Sequence, residues 1–387
     1  MPCNGIPDEI LTTHPDRLRA AFVESSNPVH SLADTKRWRE AFEALEFSVV
    51  IDVAMTETAE CADYVLPTST QYEKAEATFF TFEFPENFFH LRPPIVDPID
   101  GVLPEPEIHR RLCRELGVYN DDDLAPLHAA ATHGLDAYAD AFLSVIAASP
   151  DLGRYLPVVL YETLGPVLPE GMESAAAIWG LSQTFVTSNP ESAARAGYAS
   201  GNDLFKAILD NPSGVAFSSD SYEATWDRMR YDDKKINLIV DELVEEFRSL
   251  ADEDPRVTND EYPFILAAGE RRSSTANTAM RDPEWRRKHP TTGLRLHPDD
   301  AATLDVEHGA KIRIVTKAGE AISNVEISDS MLPGMVSLPN GQGLSWPGAD
   351  ADTDLGVYLN ELTSVDDRDW FAGTPHHKHV RARLEKV

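Results

Sequence analysis

The first 115 residues alternate apolar runs with amphipathic ones. LRAAFVESSNP, residues 18–28, reads as a short strand that breaks in a Ser-Ser-Asn-Pro loop. DTKRWREAFEAL, residues 34–45, sets apolar side chains at three-to-four spacing behind Asp34, the pattern of an amphipathic helix with an acidic cap. FSVVIDV, residues 47–53, is a continuous apolar run of the kind buried in a parallel sheet. TETAECA then reads as a short helix and DYVLP as another strand. The succession is βαβαβ, which predicts an α/β region built on a parallel sheet.

From about residue 105 to 255 the texture changes. EPEIHRRLCREL, DAYADAFLSVIAA, ESAARAG and INLIVDELVEEFRSL repeat apolar residues at three-to-four spacing, so short helices cut by Pro and Gly are expected, and no chemistry is evident there. Beyond DEDPRVTNDEYP the pattern turns to short β runs: FILAAGE, KIRIVTKAG, EAISNVEISD and GMVSLPNG. VEHGAKIRIVTKAGEAISNVEI reads as strand, Ala-Gly turn, strand. The expected organisation is therefore an α/β region over 1–115, a mainly helical segment over 116–255 and a C-terminal β-barrel over 256–387.

Composition bounds what such a chain does. Its 387 residues suffice for two or three domains, and 42% hydrophobic with 9% aromatic residues is globular. With 65 Asp and Glu against 34 Lys and Arg, the net charge of -31 repels nucleic-acid phosphates and anionic lipid, so neither is an expected partner. No stretch reaches the roughly 18–20 apolar residues of a membrane span, and the first thirty residues lack a basic start followed by an apolar run. A cytoplasmic location is expected, or export only in company. Cys3, Cys61 and Cys113 are far apart, so neither a disulfide framework nor an iron–sulfur or zinc site made by this chain alone is expected.

The run VVIDVAMTETAECADYVLP carries the first candidate chemistry. In an open α/β sheet, ligands sit at the carboxyl ends of strands, where helix N-termini offer free N–H groups. Asp52 falls at such an end, and Thr56, Glu57 and Thr58 line the following turn. An aspartate there can accept from a ribose diol or a guanine edge, and Thr56 or Thr58 can meet a phosphate; the same residues equally fit a helix cap. Gly-rich phosphate loops, H-E-x-x-H and the G-x-S-x-G elbow are absent, which removes ordinary NAD, ATP, zinc-protease and serine-hydrolase readings. In TPHHKH, His376 and His377 point to opposite faces if extended and no carboxylate follows at ligand spacing, so a metal site is not expected.

SSNPVHS, VIDVAMTETAECADYVLP, AAGERRSSTANTAMRD, LPNGQG and NELTSVDDRDWFAGTPHHKHVRARLE, in this order over nearly the whole chain, resemble the second half of a molybdopterin-dependent oxidoreductase of the dimethyl sulfoxide reductase and formate dehydrogenase superfamily. The resemblance implies two α/β domains that each grip a molybdopterin guanine dinucleotide around molybdenum or tungsten, with a C-terminal double-psi barrel closing over the pterins. It implies that Asn27 sits in the first strand-end loop and that Asp52, Thr56 and Thr58 meet a guanosine. Gly269, Arg271, Ser273, Ser274, Asn277 and Thr278 would meet pterin and diphosphate, and Asn340, Gly341, Asn360 and Lys378 would form the remaining cofactor-facing turns. Those residue types suit such a ligand, because a diphosphate takes N–H groups, hydroxyls and a cation, and side-chain amides match a pterin edge.

One position departs from the family. Where it often has Gly-Arg and then a cofactor-contacting Gln, this chain has ENFFHLR, with His90 at the Gln position. The resemblance also implies that the cysteine cluster for an iron–sulfur centre, the first α/β domain and the metal's own ligand all lie upstream of Met1. The chain is then expected to be inactive alone, and its partners to be the N-terminal half of the same enzyme or an upstream-encoded subunit, with an electron-transfer subunit beyond. A nonredox module that binds a nucleotide or a partner protein without metal is the alternative.

Overall fold

The computed structural model describes residues 2–78, 83–252, 257–270, 281–282, 292–349 and 353–387. Chain contacts divide it into two units, one joining residues 1–66 to 245–387 and the other spanning 67–244. These divisions differ from the expected boundaries at 115 and 255. The α/β start of the chain and its barrel end, far apart in sequence, fold into a single unit.

In that first unit, β1 (Ala20–Glu24), β2 (Phe47–Asp52) and β3 (Tyr64–Pro67) form a sheet in the order β1-β2-β3. β1 and β2 run parallel, with Phe22 opposite Val49. Val49, Val50 and Ile51 are all buried, which explains why that run is apolar without alternation. The crossover is the helix Thr35–Ala44, and Asp34 caps it by accepting from the Arg37 N–H at 3.1 Å. Its Trp38 and Phe42 pack with Val29 against the sheet. TETAECA is tighter than expected: only Ala59–Cys61 is helical, as a 3-10 turn.

Six strands close the barrel: β7 (Phe264–Glu270), β8 (Leu294–Leu296), β9 (Lys311–Thr316), β10 (Glu320–Ile327), β11 (Met335–Pro339) and β12 (Val380–Lys386), in the order β10-β8-β11-β7-β12-β9. β9 and β10 make the expected antiparallel hairpin. The pairs β10–β8 and β11–β7 are parallel, so the barrel is not a simple meander. Leu266, Leu294, Leu296, Ile312, Ile314, Val336 and Leu338 fill its interior with no exposed surface. Burial of each such side chain stabilises by roughly 1.5–3 kcal/mol.

The second unit is mainly helical, including Glu105–Glu115, Asp121–Ala131, Leu135–Ala148, Leu156–Thr163, Ala176–Ser188 and Gly201–Asp210. Tyr138, Trp179, Phe205, Leu124, Leu127 and Leu164 centre its core. It also holds a small antiparallel sheet of β4 (Glu76–Thr78), β5 (Glu86–Arg92) and β6 (Val215–Ser219). β6 interrupts the stretch read as helical, and ENFFHLR is β5. A strand of five residues between helices carries too little periodicity to announce itself. No helix of the described residues is long and apolar enough to cross a membrane.

Candidate functional site

The turn after β2 is built around Glu57, whose side chain is 2% exposed. Arg281 grips its carboxylate with two N–H groups, at 2.9 and 2.7 Å, and Asn27 donates to Oε2 at 2.7 Å. The Ser345 backbone N–H donates to Oε1 at 3.2 Å. Burial alone would raise the Glu57 pKa, but the donors from Arg281 and Asn27 hold it down to about 2.

Asn27 also faces the neighbouring residue: its Oδ1 accepts from the backbone N–H and the hydroxyl of Thr58, at 3.1 and 2.8 Å. The Thr58 Oγ1 in turn accepts from the Val29 N–H. Thr58 has no exposed surface, so its hydroxyl knits two loops together. Thr56 is buried and its Oγ1 accepts from the Ala59 N–H at 3.2 Å, a cap for the 3-10 turn. Asp52 is half-buried, and its Oδ1 accepts from the Val53 and Ala54 N–H groups. The structure thus brings Asn27, Thr56 and Thr58 into one loop cluster with Asp52 at the strand end.

Across this loop lies the barrel. Asn360 is buried, donates to the His30 carbonyl at 2.6 Å and accepts from the Thr363 hydroxyl. His30 stands edge-on to Tyr358 with ring centres 4.5 Å apart, and its Nδ1 is buried with no hydrogen-bond partner among the described residues. Burial pushes the His30 pKa down to about 4, Glu57 opposing and Arg281 adding to the fall. The imidazole is therefore neutral at physiological pH.

A second group forms at the far end of β7. Gly269 has φ +93°, and a Cβ there would lie 3.9 Å from the Asn340 Cβ and 4.0 Å from the Lys378 Nζ. Lys378 is exposed and donates to the Gly269 carbonyl at 2.8 Å. Asn340 is tied through its N–H to the Glu270 carbonyl, and Gly341 follows with φ +71°. Gly269, Asn340, Gly341 and Lys378 are thereby brought together. Arg271, Ser273, Ser274, Asn277 and Thr278 lie outside the described residues.

These residues fit a dinucleotide cofactor. An ammonium has three N–H donors, and Lys378 gives one to Gly269, so an anion can take the others. Two left-handed glycines let backbone approach a ligand closely. Sequence reasoning left Arg281 and His30 unassigned and gave Glu57 no binding role. Arg281 and Glu57 are separated by 224 residues, and no local spacing announces that pair.

The fold defines the class first: a mixed α/β protein in which a parallel sheet and a closed six-stranded barrel share one compact unit. Residues 5–100 match the family described as Molybdopterin oxidoreductase, and residues 264–381 that described as Molydopterin dinucleotide binding domain. The chain belongs to the molybdopterin oxidoreductases. It is 23% identical over 386 residues to "Probable oxidoreductase YoaE" of Bacillus subtilis, a match covering 99% of this chain and 46% of that protein. It is 22% identical to the F420-dependent formate dehydrogenase subunit alpha of Methanocaldococcus jannaschii, covering 86% of this chain and 40% of the relative. The solved structure of acetylene hydratase from Pelobacter acetylenicus shares the fold, with a TM-score of 0.56 at 19% identity over 100% of this chain and 46% of that one. The chain spans less than half the length of these relatives.

Proposed function

We propose that this chain is the cofactor-holding portion of a molybdenum or tungsten oxidoreductase catalytic subunit and binds molybdopterin guanine dinucleotide. The observation that carries the proposal is the convergence of Gly269, Asn340, Gly341 and Lys378 at the end of β7, within the residues matching a dinucleotide-binding domain. In it, Lys378 neutralises diphosphate charge, Asn340 offers an amide to the pterin edge, and Arg271, Ser273, Ser274 and Thr278 are of the types that add a guanidinium and hydroxyls. Asp52 reads guanine. A carboxylate accepts from both N1–H and the exocyclic amine, and each oxygen has two lone pairs, so the backbone bonds to Oδ1 do not exclude this. Thr58 and Asn360, whose polar atoms are engaged within the protein, set the loops in position.

When bound, the group supplies a metal that changes oxidation state as two electrons pass. The metal ligand, any iron–sulfur cluster and the substrate channel belong to an N-terminal portion or an upstream-encoded subunit, and the chain alone is inactive. The barrel is of the double-psi type, and the location is cytoplasmic.

The test isolates the protein with whatever co-purifies from its source and measures molybdenum, tungsten and acid-released guanine nucleotide. The expected result is two GMP per metal, both reduced about tenfold or more by Lys378→Ala, as the loss of a charge-assisted hydrogen bond implies. Protein free of both metal and GMP would refute the proposal.

A further inference from the structure

We propose that a polar cleft of about 410 Å3 on the barrel, sharing no lining residue with the Lys378 group, binds a phosphate-bearing anion. It goes beyond the cofactor reading and stands independently of it. In a chain of net charge -31, this cleft collects Lys317, Arg381, His376 and His379, against one carboxylate among its described lining residues, Asp367.

Several of the chain's other cations are matched: Arg37 pairs with Asp8, Arg110 with Glu107 and Arg295 with Glu270. Lys317 and Arg381 form no ion pair or side-chain hydrogen bond among the described residues. Unpaired cations converging on a concave surface focus a positive potential, and an anion is the ligand that answers it.

Backbone hydrogen bonds and strand position hold the segments that carry these side chains. Lys317 begins the β9–β10 turn, which Thr316 pins: its Oγ1 accepts from the Ala318 and Gly319 N–H groups, and its hydroxyl lies 3.0 Å from the Leu362 carbonyl. Gly319 is packed so closely on this segment that a Cβ would lie 2.6 Å from the Glu361 carbonyl. Arg381 stands in β12 between Val380 and Ala382, which are buried, so alternation turns it outward. His376 donates its backbone N–H to the Asp367 carbonyl at 2.8 Å, and His379 to that of His376 at 3.1 Å. Asn259 and Tyr262 close the far wall through reciprocal bonds of 3.2 and 2.7 Å.

A guanidinium fork and an ammonium held this way suit the oxygens of a phosphate, and the tyrosine and imidazoles offer flat faces to an attached group. The cleft has the volume of a small-molecule site. Two sources share that chemistry, a free inorganic phosphate and a nucleotide.

The experiment is calorimetric titration of the full chain with sodium phosphate and, separately, with AMP, at constant ionic strength. Lys317→Glu, Arg381→Glu and Lys378→Glu are titrated in parallel, with circular dichroism to verify folding; Lys317 and Arg381 are exposed, so both charge reversals keep the barrel core. Saturable binding of either probe, weakened tenfold or more by Lys317→Glu and by Arg381→Glu but not by Lys378→Glu, is expected. Tighter binding of AMP than of phosphate identifies the nucleotide source, and equal or weaker binding the free phosphate. No saturable binding of either probe, or binding sensitive to Lys378→Glu alone, overturns the proposal.

Discussion

Glu57→Gln tests whether the loop after β2 is held by charge or by shape. The native carboxylate takes two N–H groups of Arg281, the Asn27 amide and the Ser345 N–H. A glutamine keeps the volume but turns an NH2 toward donors and leaves Arg281, 17% exposed, without its counter-charge. Removing one partner of a buried ion pair costs about 3–5 kcal/mol. The pKa gives a second route: a fall from 4.5 to about 2 corresponds to about 3 kcal/mol, at about 1.4 kcal/mol per decade. Urea unfolding, followed by a probe in the barrel unit, should show the midpoint lowered by about 1–2 M, taking about 1.5–3 kcal/mol per M. The pH dependence supplies a sharper check. Because the folded pKa is depressed, Glu57 stabilises fully above about pH 4.5, and that contribution is lost as pH falls toward about 2. The variant should lack that part of the acid slope. A midpoint within about 0.3 M of the unmodified protein at pH 7, or an unchanged slope between pH 4.5 and 2, would refute the reasoning.

His30 adds its own pH dependence: with a folded pKa of about 4 against 6.5, stability falls as pH drops from about 6.5 to 4, and His30→Asn should flatten that stretch of the profile. Asn360→Ala strands the His30 carbonyl and removes one acceptor of the Thr363 hydroxyl, which keeps the Asn360 carbonyl, and should cost the first unit about 1–3 kcal/mol by denaturant titration. Tyr138→Phe removes a buried 2.6 Å bond to the Thr163 hydroxyl; a loss of about 1 kcal/mol confined to the 67–244 unit is expected by hydrogen exchange. Gly343→Ala should lower the barrel's melting temperature, since its φ is +77° and a Cβ would lie 2.4 Å from the Tyr358 N.

Much of the fold is legible because it rests on local chemistry. FSVVIDV is apolar on both faces because β2 is the central strand, and Asp34 opens a helix because an exposed turn needs an acceptor. The β9–β10 hairpin is visible in the Ala-Gly turn that joins its strands. β8 was not legible: three residues, Leu294–Leu296, carry no period, and only pairing with β10 on one side and β11 on the other makes them a strand. The return of the barrel onto the first 66 residues was equally hidden, since it is made by single contacts such as Asn360 to His30, 330 residues apart.

Those long-range contacts explain why polar residues that suit a ligand by type differ in what they can offer. A side-chain amide matches a pterin edge wherever it sits in a sequence, but a buried amide first has to satisfy itself. Asn360 does so with His30 and Thr363, and half-buried Asn27 likewise engages its amide with Glu57 and Thr58, whereas Lys378 is exposed. The distinction follows from position. Asn27 and Asn360 lie where the α/β loops meet the barrel, a junction that excludes water and therefore consumes hydrogen bonds. Lys378 lies exposed at the end of β7, beside half-buried Asn340 and Gly269. Asn27 and Asn360 have therefore spent their amides inside the protein, while the Lys378 ammonium has given only one N–H, to the Gly269 carbonyl, among the described residues.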